Sequence, residues 1–101
     1  MEPENQRALL PFVKKVKKMM PDKDIWCFTG FKYDDLLTDG KHCRCECTDE
    51  LLKNINILVD GRFEERLKDI SLRFRGSSNQ RIIDLDRTRE HGFVIPYEYG
   101  R

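Results

Sequence analysis

Hydrophobic residues recur at helical spacing in the first fifth of the chain, with lysines on the other positions. The apolar positions are Leu9, Phe12, Val13, Val16, Met19 and Met20. This period predicts an amphipathic helix over residues 5–20. Asn5 is the predicted N-cap. Pro11 is tolerated best in a first turn, so the regular helix is expected to begin near Leu10.

Shorter apolar runs predict the remaining elements. They are a strand over 24–28, a helix over 33–37, a polar connection over 38–48, a helix over 49–54 that Thr48 caps, a strand over 55–59, a mixed segment over 62–74, a strand over 81–85 and an extended tail over 87–101. Helices that alternate with short buried strands predict an α/β fold with a parallel sheet. Trp26 and Phe28 are predicted core aromatics, one on each sheet face. Residues 1–86 are the predicted domain and 87–101 its tail.

Composition narrows the classes of function. The chain has 101 residues, 37% of them charged, and a net charge of +1. Near-neutral charge argues against a nucleic-acid or membrane partner held by electrostatics. Neither a spanning apolar run nor a signal peptide is evident, so we expect a cytoplasmic protein whose four cysteines are reduced thiols or metal ligands.

Three motifs occur in a fixed order. Residues 25–31 read Ile-Trp-Cys-Phe-Thr-Gly-Phe, residues 56–63 read Asn-Ile-Leu-Val-Asp-Gly-Arg-Phe, and residues 68–81 carry Arg-Gly-Ser-Ser-Asn-Gln-Arg at their end. An apolar strand followed by small polar residues is typical of a ligand-facing loop. Over residues 4–86 the chain resembles the activating enzymes of anaerobic ribonucleotide reductase, which are radical-SAM proteins.

The resemblance implies a parallel-stranded partial (half) radical-SAM barrel with helices packed on the sheet. In the full family, a [4Fe-4S] cluster and S-adenosylmethionine (SAM) generate a glycyl radical on the reductase, which is the implied partner. Thr29, Gly30 and Asp60 are then expected at strand ends facing SAM, and Gly61 would allow close backbone approach. The segment from Arg75 to Gln80 would close the site or meet the reductase. The donors offered there to a carboxylate are Ser77, Ser78 and Asn79.

The chain departs from the family in one decisive respect. It has neither the Cys-x₃-Cys-x₂-Cys cluster motif nor the glycine-glycine-acid-proline motif that holds the SAM amino group. The resemblance therefore implies a C-terminal portion that is inactive alone and holds no cofactor by itself. A truncated gene product, a misplaced start codon and an expressed fragment all stay open, as does whether the chain is itself an enzyme.

Two other functions stay open beside that one. A half barrel leaves a sheet edge unpaired, which predicts a non-catalytic interaction module that binds the reductase or forms a homodimer. The third possibility is a small metal-binding protein, since His42, Cys43, Cys45 and Cys47 are residues of metal-ligating type in one loop. Their spacing is tighter than in ordinary metal sites, and Cys27, within a strand, is predicted to be core.

Overall fold

A computed structural model describes residues 2–72 and 75–98. Its elements are α1 (Pro3–Met19), β1 (Trp26–Phe28), α2 (Tyr33–Leu36), α3 (Thr48–Lys53), β2 (Ile57–Asp60), a 3₁₀ turn (Glu65–Leu67), β3 (Arg81–Asp84) and α4 (Leu85–His91). Arg73 and Phe74 of the third motif, Met1, and residues 99–101 of the predicted tail lie outside the described residues. None of the helices in the described ranges has the length and hydropathy needed to cross a membrane.

The three strands form one mixed sheet in the order β1-β2-β3. β1 and β2 are parallel, with Trp26 opposite Ile57. β2 and β3 are antiparallel, with Asp60 opposite Arg81. The prediction of parallel strands is therefore right for the first pair and wrong for the second. β3 starts at the end of the sheet where β2 stops, so it runs in the opposite direction. The half barrel remains a prediction.

The larger core lies between the helices and one face of the sheet. Its fully buried side chains include Leu36, Leu51, Leu58 and Ile83. The other face carries a smaller cluster of Ile57, Val59 and Ile82, against which Trp26 and Tyr97 pack. These two rings meet edge to face at 5.1 Å.

The prediction for the two strand aromatics needs correction. Residues two apart in a strand point to the same face of the sheet, so Trp26 and Phe28 lie on the same face and not on opposite faces. Trp26 is half-buried on the smaller cluster, whereas Phe28 is 59% exposed at the end of β1. Phe28 is therefore not a core residue in the chain as described.

Helix α1 begins earlier and is more regular than its sequence predicts. It starts at Pro3, Glu2 is its N-cap, and Pro11 lies inside it. Proline is favoured at the first helical position, because an N–H at this position would have no hydrogen-bond partner within the helix. The helix tolerates Pro11 because its apolar side is buried through Leu10 and Val13, and this packing outweighs one lost backbone hydrogen bond.

The predicted extended tail also needs correction, because residues 85–91 form helix α4. The Asp84 carboxylate accepts a hydrogen bond from Arg87 N, and Gly92 ends the helix with φ of 79°. Aspartate before the first turn and glycine after the last turn are common residues at helix ends. The sequence therefore contained the signals for this helix. Beyond the helix the chain is extended again: Asp84 N donates to Ile95 O and Tyr97 N to Ile82 O. This segment therefore lies along the outer edge of β3.

Candidate functional site

A pocket lies where β1 and β2 end, and we call it the strand-end pocket. Its cavity measures about 350 Å³, and its lining residues are Gly30, Phe31, Lys32, Asp35, His42, Gly61, Arg62, Glu64 and Asn79. The ends of parallel strands are the usual position for ligands in α/β sheets. Two glycines and one asparagine that the sequence predicted for the site, Gly30, Gly61 and Asn79, are brought together here.

Asp60 precedes Gly61 but is not among the lining residues of the pocket, and protein donors hold its carboxylate. Its side chain is 1% exposed. Both carboxylate oxygens accept from Arg81 Nε at 3.1 Å, and one of them accepts from Tyr33 N at 2.9 Å. The contact raises the pKa of the Arg81 guanidinium through its hydrogen bond with Asp60. Asp60 thus links the C-terminal end of β2 to the first residue of β3 and to the first residue of α2. Its predicted contact with a ligand remains a prediction.

The residues that follow β1 and β2 are held by different backbone features. Thr29 is 3% exposed; its N–H donates to Val59 O at 2.9 Å and its hydroxyl accepts from Phe31 N at 3.1 Å. Gly61 has φ of 89°, a region that favours glycine, and its N–H donates to Phe31 O at 3.0 Å. Thr29 is therefore placed as a support for the loop, and Gly61 as the turn that opens the pocket.

The polar loop, residues 75–80, uses its side chains to fasten itself to residues 61–64. Gln80 Oε1 accepts from Gly76 N and Ser77 N, and Gln80 Nε2 donates to Gly61 O. Buried Ser77 donates to Asn79 Oδ1 and accepts from Glu64 N. Asn79 Nδ2 donates to Arg62 O at 2.7 Å. Much of the polarity that predicted a ligand site therefore stabilises the loop itself.

The remaining predicted binding residues do not share the strand-end pocket. Arg75 lines a separate cavity of about 300 Å³ beside Ile82 and Tyr97. Its Nη1 donates to Gln80 O at 3.2 Å. Ser78 is exposed, and its N–H donates to Leu67 O. The structure thus divides the predicted set between a pocket, its supports and a second surface.

The cysteine loop, residues 41–47, brings two of its three thiols together. One ligand atom each of Cys45, Glu46 and Cys47 lie within 4.8 Å of one another. Cys43 is buried, 1% exposed, in the larger core, and His42 lies at the strand-end pocket with its ring edge-on to Phe31 at 5.5 Å. Burial raises the pKa of the Cys43 thiol. Burial, then the charges of Glu46 and Cys45, raise the pKa of Cys47.

These thiols do not fit an iron–sulfur cubane. A [4Fe-4S] cluster is held by cysteine thiolates, four in most proteins and three where another group binds the fourth iron. The cysteine loop gathers two, and Cys27, the fourth cysteine, lies in β1. The four cysteines of this chain are therefore not arranged as the ligands of one cluster.

Sequence reasoning missed the charged lining of the strand-end pocket. Lys32, Asp35, Arg62 and Glu64 surround the two glycines. Lys32 and Arg62 follow Gly30 and Gly61 closely, so adjacency to a strand-end glycine was the available signal. Asp35 and Glu64 had no such signal, because their positions depend on how α2 and residues 61–64 fold over the sheet.

Comparison with known proteins places this chain in a family. Residues 1–83 match the family described as 4Fe-4S single cluster domain. The anaerobic ribonucleoside-triphosphate reductase-activating protein of Haemophilus influenzae is 45% identical over 82 residues, which are 81% of this chain and 48% of that protein. The proteins of the same name from Escherichia coli K12 and Enterobacteria phage T4 are 40% and 36% identical over 80 residues, 79% of this chain and 47% and 44% of theirs. No solved structure gives a significant match.

The chain belongs to the 4Fe-4S single cluster domain family. Its resemblance to the activating proteins of anaerobic ribonucleotide reductase, inferred above from three motifs, is confirmed by these relatives. The chain spans about half the length of the curated relatives it matches.

Proposed function

We propose that this chain serves in the activation of an anaerobic ribonucleotide reductase and that its strand-end pocket binds SAM. The observation that carries the proposal is the meeting of Gly30, Gly61 and Asn79 at the ends of two parallel strands, in a chain whose relatives are activating proteins. In the reaction that the resemblance implies, SAM supplies the group that abstracts hydrogen from a glycine of the reductase.

The charges around the pocket suit such a ligand. SAM carries a carboxylate, an ammonium and a sulfonium. Lys32 and Arg62 offer cationic donors, and Asp35 and Glu64 offer carboxylates. A cavity of about 350 Å³ falls within the range of small-ligand sites, roughly 300–1,000 Å³. We expect weak binding, because a cluster that would chelate the amino and carboxylate groups does not fit the thiols of this chain.

Ligand-observed NMR titration with SAM tests the pocket. Arg62→Ala is expected to weaken binding roughly tenfold, the loss typical of one charge-assisted hydrogen bond. Arg87→Ala removes the same charge from α4, where the side chain pairs with Glu98 at 3.7 Å outside the lining of this pocket, and should leave binding unchanged. Absence of saturable binding, or equal losses in both variants, would contradict this assignment.

We further propose that the chain by itself generates no glycyl radical. The reason is the thiol arrangement, which brings together two sulfurs and one carboxylate. Anaerobic iron and sulfide reconstitution, followed by electron paramagnetic resonance of the reductase mixed with the chain, dithionite and SAM, is expected to show no radical signal. A glycyl-radical doublet that depends on the chain would refute the proposal.

The same part of the fold supports a second candidate function, a docking module for the reductase or for another copy of the chain. β1 is the terminal strand of the sheet among the described residues, and Phe28 at its end is exposed. An exposed aromatic side chain at the edge of a sheet offers apolar surface to a partner. Sedimentation velocity, alone and with the reductase, is expected to show a complex. A monomer at high concentration that also fails to bind the reductase would exclude this function.

A further inference from the structure

The strongest unassigned cluster of chemically reactive groups is in the cysteine loop. The ligand atoms of Cys45, Glu46 and Cys47 all lie within 4.8 Å of one another. Cys45 and Cys47 are half-buried and Glu46 is exposed. The cluster therefore lies at the surface, where an ion can reach it, and is separate from the strand-end pocket.

The fold holds the backbone on both sides of this cluster. Gln6 of α1 is fully buried, and its Nε2 donates to Cys43 O at 2.7 Å. On the other side, Thr48 donates its hydroxyl hydrogen to Gln6 Oε1 and accepts from Cys45 N at 2.9 Å. One buried amide thus fastens the residues before and after the cluster to the same helix.

A second anchor fixes the loop from the side of α2 and α3. Arg44 Nη1 donates to Leu36 O at 2.7 Å. The same guanidinium binds both oxygens of Asp49 at 2.9 and 2.7 Å. The residues between Cys43 and Thr48 therefore carry their side chains on a braced backbone, which lowers the entropic cost of gathering three ligands around an ion.

We propose that Cys45, Glu46 and Cys47 form a three-ligand zinc site with one open position. Thiolates select thiophilic ions over calcium and magnesium, and zinc accepts sulfur and carboxylate oxygen in a tetrahedral set. Two thiolates are too few for an iron–sulfur cubane but suffice for zinc with a carboxylate and a water. The site does not depend on the function proposed for the strand-end pocket.

Arg7 gives the proposal a specific signature, because it competes for one ligand. Its Nε donates to both oxygens of Glu46, at 2.8 and 2.9 Å. An ion that takes this carboxylate must displace the guanidinium. Removing Arg7 should therefore strengthen zinc binding, whereas removing a bystander cation should not.

The experiment is competition for zinc between the reduced full chain and a chromogenic chelator under anaerobic conditions. We expect one zinc per chain, and a roughly tenfold or greater loss of affinity in Cys45→Ser and in Cys47→Ser. Glu46→Gln should weaken binding and Arg7→Gln should strengthen it. Lys14→Gln is the matched control, because Lys14 lies on the same helix as Arg7 and forms an exposed ion pair with Glu50 of α3 at 2.8 Å. The zinc affinity of this variant should equal that of the unaltered chain.

Cobalt substitution and circular dichroism complete the test. The thiolate-to-cobalt charge-transfer band should correspond to two thiolates and should be unaltered in Cys27→Ser. Circular dichroism must show that the serine variants remain folded; if one unfolds, the Arg7→Gln and Lys14→Gln pair still decides. Zinc affinity that survives both serine changes would overturn the proposal. So would a chain that takes up no zinc and instead forms a Cys45–Cys47 disulfide on mild oxidation.

Discussion

The strand-end pocket and the cysteine loop are both polar segments at the ends of elements, yet they use their polar groups in opposite ways. At the strand end, Asp60 and Ser77 are buried and bonded to the protein. In the cysteine loop, Cys45, Glu46 and Cys47 gather at the surface on a backbone that other residues hold. The comparison shows that residue type alone does not separate structural from ligand-binding groups. Burial separates them, because Asp60 and Ser77 are out of reach of solvent whereas Glu46 is exposed.

The largest effect is expected from breaking the strand-end clamp. Asp60→Ala would leave Arg81 and Tyr33 N without their carboxylate partner. Removing one member of a buried pair costs about 3 to 5 kcal/mol, and we expect about 3 kcal/mol because Arg81 is partly exposed. Urea unfolding measures the loss.

Asp34→Ala is the matched control for the clamp. Asp34 also faces Arg81, at 3.6 Å, but its side chain is 67% exposed. We expect a change below about 0.5 kcal/mol. Equal losses for the two aspartates would mean that the buried position of Asp60 contributes nothing special.

A smaller effect is expected from releasing the cysteine loop. Arg44→Ala removes the contacts with Leu36 O and Asp49, and we expect a loss of about 1 to 2 kcal/mol. Lys41→Ala, whose ion pair with Asp35 is long at 3.9 Å and half-exposed, should change stability by less than about 0.5 kcal/mol. A loss as large as that of Asp60→Ala would show that the loop is as much part of the core as the strand end.

The two serines of the polar loop sharpen the comparison within one region. Ser77→Ala removes a buried hydroxyl that contacts Asn79 and Glu64 N, so we expect a loss of about 1 kcal/mol. Ser78→Ala changes an exposed side chain and should stay within about 0.5 kcal/mol. Thermal unfolding of both variants measures these losses. A larger loss for Ser78→Ala than for Ser77→Ala would mean that Ser78 contributes more to the stability of the loop.

The smallest effect is a pH dependence. Burial raises the pKa of the Cys27 thiol above its ordinary value of 9.0. The folded state therefore holds this proton more tightly, and its contribution to stability is complete below pH 9 and is lost as pH rises through the raised pKa. Cys27→Val should lose less stability than the unaltered chain above pH 9. Parallel curves of unfolding free energy against pH would contradict the assignment.

Local patterns predicted much of the fold. The apolar runs located β1, β2, α2 and α3 within a few residues, since each depends on neighbouring side chains. The predicted direction of β3 was wrong, because strand direction depends on the connection between β2 and β3 and not on the residues of the strand itself. Helix α4 was missed although Asp84 and Gly92 mark its ends.

The site was predicted in part for the same reason. Gly30 and Gly61 end strands, so their place at the pocket followed from sequence. The approach of Cys45 to Cys47 depends instead on anchors far along the chain, above all Gln6. Such long-range contacts cannot be inferred from the residues of the loop alone.

The extended segment beside β3 has a consequence for how copies of this chain add to one another. Its backbone already bonds to β3, and Pro96, which bridges to Ile83, has no N–H to offer outward. Strand addition between copies at this edge is therefore blocked unless the chain's own segment first leaves β3.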